Sequence, residues 1–170
     1  YTSVICNLLV NDIGKSIIQS KAKKVMIANL MNEPGETLGY TLAKHVNEVE
    51  RYLGKHALDY VLANSGEITE DMMYDFNQGA STPVTIDLEN IQNRTISVIE
   101  EDFVITAPNA ILHDNLRISE IIIEISKSKN IGSLNLLKNK NKHEKVILKK
   151  KIAKMFSASI KSIAHSSTIY

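Results

Sequence analysis

The alternation of apolar and polar stretches along the chain predicts strands and helices in α/β order. Apolar residues form a nearly continuous run from Val25 to Leu30, which is typical of a strand covered on both faces in a parallel sheet. Residues 57–63 form a second such run. Between the two runs, apolar residues recur at helical spacing, at Leu42, Val46, Val49 and Leu53. Gly54 follows as a helix stop signal. This succession favours an α/β fold with a parallel sheet.

The first segment, residues 1–20, is predicted to be helical with a break near Asn11. Thr2 and Ser3 place two hydroxyl groups at the start of this helix. Such groups either cap the helix or hold a phosphate at its N-terminus. Both alternatives stay open from the residues alone.

The remaining periodic segments predict short strands and two further helices. Short β-type runs cover residues 83–86, 95–99 and 103–105, and a hairpin or two edge strands would fit the first two. Thr69 is an N-cap candidate for one helix, and Asp114 is the N-cap candidate for the last one. The last helix is expected to extend to about Lys127, with an apolar face at Ile118, Ile121, Ile122 and Ile125.

Polar turns follow both buried-strand candidates. Residues 32–37 break the first apolar run, and residues 64–67 follow the second. Pro34 fixes one φ angle, and Gly35 allows a backbone to approach closely. The helix after the first turn is expected to offer free N–H groups to an anion. Because loops at the carboxyl ends of parallel strands meet at one edge of the sheet, the two turns predict a ligand site there.

Charge is distributed very unevenly along the chain. Residues 1–128 contain ten basic and 18 acidic side chains, whereas residues 129–170 contain ten lysines and one acid, although the whole chain carries a net charge of +1. Residues 129–144 are rich in Asn and Lys and are interpreted as a linker after a domain of residues 1–128. Residues 145–170 are interpreted as a basic amphipathic helix or a disordered tail. Its lysines Lys149, Lys150 and Lys151 are candidates for contact with an anionic membrane or a protein.

Several function classes find no support in the residues. The sequence contains no dinucleotide, Walker, CxxC, HExxH or GxSxG motif, and none of its five histidines forms a metal-binding pair on one helix face. His45 is expected on a helix surface. Few aromatic residues lie among the lysines, which argues against nucleic acid as a partner. The single cysteine, Cys6, and the lack of a long apolar run suit a reducing, cytoplasmic compartment.

Four segments of the chain resemble the gluconeogenesis-factor family, which belongs with the CofD-like 2-phospho-L-lactate transferases. Residues 29–41 resemble the family signature NLMTQPGETDGYT, and residues 1–10 resemble YTSILPNLLV. Residues 59–68 resemble DYVLVNNGEI, and His113-Asp114 resembles the His-Asp pair before the family's last helix. The resemblance covers roughly residues 1–126.

This resemblance implies a Rossmann-like, three-layer domain with a mainly parallel sheet that binds a nucleotide. It implies a UDP-sugar such as UDP-N-acetylglucosamine as the ligand, with Mg only in a transferase. A homodimer is a candidate assembly for a different reason, because a body without its first strand would expose a sheet edge that favours self-association. It places these residues around the ligand: Asn29, Met31, Pro34, Gly35, Glu36, Thr37, Asn64 and Gly66. Thr2, Ser3, His113 and Asp114 are further candidates for ligand binding. No catalytic or metal-binding residue is assigned.

Two departures from the family pattern shape the functional expectation. The family's N-terminal strand and glycine-rich loop are missing from this sequence, and Leu112 stands where the family has Arg before His-Asp. Arg would pair with a phosphate, whereas Leu cannot. The first expectation is a nucleotide-sugar-binding protein that regulates central carbon metabolism, cell shape and cell-wall synthesis. The alternatives are a phospholactate transferase with a deazaflavin acceptor, and an inactive fragment that acts through its basic tail.

Overall fold

A computed structural model describes residues 1–76, 81–93, 95–107 and 110–128 of the chain. By its internal contacts the chain divides into two units, of which the first comprises residues 1–118 and the second begins at Ser119. The elements, in chain order, are α1 Thr2–Leu8, α2 Ile13–Gln19, β1 Val25–Ile27, β2 Met31–Asn32, α3 Leu42–Leu53, β3 Tyr60–Asn64, α4 Glu70–Phe76, β4 Thr82–Pro83, a 3₁₀ turn Leu88–Asn90, β5 Ser97–Glu101, β6 Val104–Ala107, β7 Ala110–His113 and α5 Asn115–Lys127.

A three-stranded parallel sheet forms the centre of the first unit. Its strand order is β1-β3-β5, with Val25 opposite Tyr60 and Tyr60 opposite Ser97. The central strand β3 is buried over four consecutive residues, as expected for a parallel strand covered on both faces. Val61 on β3 and Val46 on α3 are fully buried in one apolar cluster. The parallel sheet and its helices confirm the predicted α/β class.

The structure confirms the predicted break, stop and cap positions of the helices. The predicted break near Asn11 separates α1 from α2, and Asp12, the N-cap of α2, has a φ of 74°. Gly54, with a φ of 111°, ends α3. Thr69 caps α4 by accepting from the backbone N–H of Met72 at 3.3 Å. Asp114 caps α5 by accepting from the N–H of Arg117 at 3.0 Å.

The prediction for the middle of the chain was partly wrong. The hairpin predicted for residues 83–86 and 95–99 is wrong, since these runs do not pair with each other. The alternative of two edge strands is confirmed among the described strands, because β4 pairs antiparallel with β2 alone and β5 pairs parallel with β3 at one edge of the three-stranded sheet. Strand β7 was not predicted, and it forms an antiparallel hairpin with β6. The β2–β4 and β3–β5 pairings join residues distant in sequence, which local periodicity does not reveal.

A buried polar pair holds the start of β3 in place. Glu50 on α3 accepts from the backbone N–H of Leu58 at 3.2 Å and from the side chain of Asn93 at 2.8 Å. Glu50 is 7% and Asn93 2% exposed. A buried carboxylate requires such donors, because burial removes its water.

Several predictions concern residues outside the described ranges. These are the linker at residues 129–144 and the tail at residues 145–170 with Lys149, Lys150 and Lys151. Within the described ranges, no helix has the length and apolar character needed to cross a membrane.

Replacing Asn93 by Ala should lower the free energy of unfolding by about 2–3 kcal/mol, because the buried Glu50 carboxylate loses a donor. Urea unfolding would measure the change. The neighbouring exposed residue offers a control, since Gln92→Ala should change stability by no more than about 0.5 kcal/mol. Equal losses in both variants would contradict the role given to Asn93.

Candidate functional site

A small cavity lies at the carboxyl ends of β1 and β3, where the sequence placed the ligand site. Its volume is about 100 Å³. It is lined by Ala28, Asn29, Leu30, Leu42, Ala63, Asn64, Gly66, Ile68, Pro83, Val84 and Ile86. Three of the predicted site residues therefore come together here, namely Asn29, Asn64 and Gly66. Two amides and a glycine in an otherwise apolar lining can orient a polar ligand group.

Asn64 ties the end of β3 to two other segments. Its Oδ1 accepts from the backbone N–H of Gly66 at 3.1 Å and from that of Phe103 at 2.9 Å. Its Nδ2 donates to the carbonyl oxygen of Gly66 at 2.9 Å. Asn64 thus closes the turn after β3 and fixes the start of the β6–β7 hairpin.

Close packing against Asp102 and Asn64 leaves no room for a side chain at Gly66. A Cβ atom at this position would overlap the Asp102 carboxylate and lie 3.1 Å from Asn64 Oδ1. Asp102 is itself held, since its Oδ1 accepts from the N–H of Val104 at 3.1 Å. The close approach expected at a glycine therefore occurs within the protein, on the wall of the cavity.

Asn29 differs from Asn64 in its bonding. It is half-buried, and its side chain makes no hydrogen bond to the part of the chain that the structure describes. It lines the small cavity and also a larger apolar cavity of about 590 Å³ beside β1. Because an amide carries both donors and acceptors, Asn29 is the side chain here best placed to bind a ligand.

His113 and Asp114 lie close to the same edge. The His113 ring nitrogen Nε2 is 3.0 Å from the carbonyl oxygen of Ala28, which directly precedes Asn29. Asp114 donates its backbone N–H to the carbonyl oxygen of Phe103 at 2.7 Å while its side chain caps α5. Leu112, in the position where the family has Arg, is 46% exposed.

The Pro34–Gly35 loop folds upon itself outside the small cavity. Thr37 is buried, and its hydroxyl accepts from the N–H of Glu33 at 3.0 Å. Gly35 has a φ of 81°, and a Cβ there would contact nothing within 4 Å. Its glycine thus serves the turn, which needs the left-handed region, and the expected close backbone approach is not seen. Pro34 and Gly35 are exposed, and their predicted ligand role stays a prediction.

The expectation of free N–H groups at the start of α3 was wrong. The N–H of Leu42 donates to Thr85 O at 2.8 Å, that of Ala43 to Asp87 Oδ1 at 2.9 Å, and that of Lys44 to Thr41 Oγ1 at 3.3 Å. A carboxylate already occupies the favourable electrostatic position at the helix N-terminus. The first turn of α3 therefore has no vacant N–H groups for an anion.

The N-terminal hydroxyls behave differently from a cap. Tyr1 is the N-cap of α1, and no side chain caps that helix. Thr2 instead donates its hydroxyl to the Glu36 carboxylate at 3.0 Å, which joins α1 to the Pro34–Gly35 loop. The carbonyl oxygen of Ser3 accepts from Asn7 Nδ2 at 2.6 Å. The phosphate role of the two hydroxyls stays a prediction.

His45 was expected on the surface and is instead 3% exposed. Its Nε2 lies 3.1 Å from Asn32 Oδ1, and Asn32 donates its Nδ2 to the carbonyl oxygen of Tyr40 at 2.8 Å. Burial lowers the pKa of His45 from 6.5 to about 4. His45 is therefore neutral, and its imidazole contacts the Asn32 side chain that holds the Tyr40 carbonyl oxygen.

Met31, which was also predicted at the ligand, lies in a buried apolar cluster with Leu30 and Ile111.

Known proteins share the family and the fold of this chain. The family model of 2-phospho-L-lactate transferase CofD matches residues 1–104. The chain belongs to the CofD family. A relative from Thermoanaerobacterium thermosulfurigenes is 42% identical to this CofD-family chain over 123 residues. These residues cover 72% of the chain and 38% of the relative. The gluconeogenesis factor of Bacillus subtilis is 35% identical over 127 residues, which cover 75% of the chain and 40% of that protein.

A crystal structure of a Bacillus halodurans protein matches the CofD-family chain with a TM-score of 0.68 at 32% identity. The match covers 72% of the chain and 40% of the crystallised protein. The chain thus spans about two fifths of the length of these relatives.

Among the described residues, no group of three or more His, Cys, Asp or Glu side chains is arranged to hold a metal ion.

Replacing Gly66 by Ala should lower the free energy of unfolding by about 1–3 kcal/mol, because the new methyl group displaces the Asp102 carboxylate. In an Asp102→Ala background the same change should cost less than about 1 kcal/mol, since only the Asn64 contact at 3.1 Å remains. Urea unfolding of the four proteins of this double-mutant cycle measures the coupling. An equal cost of Gly66→Ala in both backgrounds would place the strain elsewhere.

Stability should fall in acid because His45 is buried in its neutral form. The pKa of about 4 in the folded chain lies below the ordinary 6.5, so the unfolded chain binds the proton more readily. Between pH 7.5 and 4.5 the free energy of unfolding should decrease by about 2–3 kcal/mol more than in His45→Gln. His56 and His113 are present in both proteins, so the difference reports His45. Parallel pH profiles for the two proteins would show that His45 does not titrate as the structure implies.

Proposed function

We propose that this chain provides nucleotide-sugar binding in a gluconeogenesis factor, with a UDP-sugar as the ligand. The observation that carries the proposal is the meeting of Asn29, Asn64 and Gly66 in one cavity at the carboxyl ends of two adjacent parallel strands. Open α/β sheets bind ligands at this edge. The family membership supports the proposal, and so does the name of the Bacillus subtilis relative.

The cavity is suited to one group of such a ligand. Its volume of about 100 Å³ is well below the roughly 300–1,000 Å³ of pockets that enclose a drug-sized molecule. Amide groups bind sugar hydroxyls well, because each amide donates and accepts. We therefore assign a sugar hydroxyl to Asn29, with the base and the diphosphate outside the small cavity. The exposed turn at Pro34 and Gly35 lies on the path from β1 to α3 and is the proposed neighbour of the remaining groups.

The proposed binding of a nucleotide sugar supports a regulatory role more directly than a catalytic one. The one side chain assigned to the ligand, Asn29, is an amide, which binds without supplying a nucleophile or a catalytic proton donor. Control of central carbon metabolism, cell shape and cell-wall synthesis is the proposed consequence of ligand binding, in the cytoplasm. A homodimer remains part of the proposal, and so does a contact of the lysine-rich tail with a membrane or protein.

A phospholactate transferase is the second candidate, because the matching family model carries that description. It requires a deazaflavin acceptor and a divalent metal such as Mg, whereas the binding protein requires only the nucleotide sugar. Incubation of the chain with Mg, the acceptor and a phospholactyl donor separates the two. Formation of the phospholactyl product would favour the transferase over the regulator.

Thermal unfolding in the presence of UDP-N-acetylglucosamine tests the binding proposal. A ligand that binds only the folded chain stabilises it by about 2.7 kcal/mol at a concentration of 100 times Kd, so the melting temperature should rise with ligand concentration. UDP and GDP serve as comparison ligands. Asn29→Ala should weaken binding by roughly threefold to tenfold, the usual effect of one hydrogen bond.

Asn11→Ala is the matched control, since it makes the same chemical change at an exposed position in the turn between α1 and α2. It should bind as the unchanged chain does. A cooperative melt that UDP-N-acetylglucosamine does not shift would contradict the proposal. A shift that Asn29→Ala and Asn11→Ala reduce equally would remove Asn29 from the site.

A further inference from the structure

The backbone N–H of Asn64 has no partner at the point where β1 and β3 separate. In the ladder between these strands, the N–H of Tyr60 donates to Lys24 O at 3.1 Å, and the N–H of Ala28 donates to Leu62 O at 2.9 Å. Every second residue of β3 therefore faces β1, and Asn64 is the next such residue after Leu62. Its regular acceptor would be the carbonyl oxygen of Ala28. No such bond forms, and the Asn64 N–H makes no other hydrogen bond within the described residues.

His113 takes the place of the missing ladder bond. Its Nε2 lies 3.0 Å from the carbonyl oxygen of Ala28, and since a carbonyl oxygen can only accept, this nitrogen carries the proton and donates it. The N–H of Asn64 is thus left between the ends of the two strands, which both line the small cavity of about 100 Å³.

A second donor borders the same cavity. Leu30 lines it and is 6% exposed, and its N–H has no partner in the part of the chain that the structure describes. Because N–H groups withdrawn from water without an acceptor are rare, the N–H groups of Asn64 and Leu30 favour a bound acceptor.

The remaining lining of the cavity indicates which acceptor fits. None of the described lining residues carries a charge, so a phosphate or a carboxylate would lose its water there without gaining a counter-charge. Most of the lining is apolar, including Leu42, Val84 and Ile86, and apolar walls favour an apolar group. A carbonyl oxygen attached to a methyl group meets both conditions, whereas a hydroxyl group leaves the apolar walls without a contact.

We propose that the small cavity is the subsite for the acetamido group of an N-acetylated nucleotide sugar. The acetamido carbonyl oxygen accepts from the N–H groups of Asn64 and Leu30, and the methyl group packs against the apolar walls. The sugar hydroxyl assigned to Asn29 is then a ring neighbour of the acetamido group. This inference rests on the proposed binding of a nucleotide sugar and adds the substituent that the site recognises. His113 is a positioning residue, because it keeps the Asn64 donor free.

Titration calorimetry of the full chain with UDP-N-acetylglucosamine and with UDP-glucose tests the subsite. The two ligands differ only in carrying an acetamido or a hydroxyl group on C2 of the sugar. The N-acetylated ligand should bind at least about tenfold more tightly, because it gains a carbonyl hydrogen bond and a buried methyl group. Amide hydrogen exchange gives a second readout. At saturation, UDP-N-acetylglucosamine should slow exchange of the Asn64 amide by about tenfold, whereas UDP-glucose should change it by less than about twofold.

A substitution that fills the small cavity should remove this preference. Val84→Phe should bring the two affinities to within about twofold of each other, because the methyl group no longer fits. The matched control is Val10→Phe, which makes the same change at a residue that is 54% exposed and does not line this cavity. The preference of about tenfold should persist in the control.

His113→Ala tests the positioning role. Without the imidazole, the carbonyl oxygen of Ala28 becomes available to the N–H of Asn64, so the ladder bond should form. In the ligand-free variant, exchange of the Asn64 amide should then slow relative to that of the Leu62 amide, and the preference for the N-acetylated ligand should fall below about threefold. A loss of stability alone would speed exchange at both amides and leave the ratio of the two affinities unchanged, which would contradict the positioning role.

The outcomes separate this inference from the binding proposal on which it rests. Equal affinities for the two sugars, with no slowing at Asn64, would overturn the subsite and leave nucleotide-sugar binding intact. A preference that Val84→Phe and Val10→Phe retain alike would place the acetamido group outside the small cavity. If neither sugar binds to a chain that unfolds cooperatively, both the subsite and the proposed function are overturned.

Discussion

A chain of hydrogen bonds across the carboxyl edge of the sheet holds the candidate site together. Asn64 at the end of β3 accepts from the backbone N–H of Phe103, and the carbonyl oxygen of Phe103 accepts from the N–H of Asp114. His113, next to Asp114, then bonds to the carbonyl oxygen of Ala28 at the end of β1. Phe103 is 1% exposed and lies at the centre of this network, in which Asn64, His113 and Asp114 are half-buried. The ends of β1 and β3 are thus held by the same segment, and the site's shape depends on it.

This network changes the meaning of the signature residues. Asn64, Gly66 and His113 hold the framework, because their bonding groups are directed at other parts of the protein. Asn29 is the exception, since its amide faces two cavities without a partner among the described residues. A polar side chain that is half-buried without a protein partner has a free-energy reason to bind a ligand or water. Asn64, Gly66 and His113 therefore build the site, whereas the Asn29 side chain is directed into it.

The sequence predicted what depends on neighbouring residues and missed what depends on distant ones. The strands around Val61 and Met26, the stop at Gly54 and the cap at Asp114 all follow from local patterns, and they were found. The occupied N-terminus of α3 was missed because Asp87 reaches it from 44 residues away. His45 was misplaced for the same reason, since its charged neighbours on α3 gave no sign of Asn32 beneath it. The family signature located the right edge of the sheet, but it did not separate ligand contacts from framework.

The two cavities meet at Asn29, which lies two residues beyond the end of β1. His45 lines the larger apolar cavity and supports Asn32, which in turn holds the carbonyl oxygen of Tyr40. Asn29 thus belongs to both cavities, whereas His45 lines only the larger one. A group that fills the larger cavity would therefore lie next to Asn29, the amide that has no protein partner among the described residues.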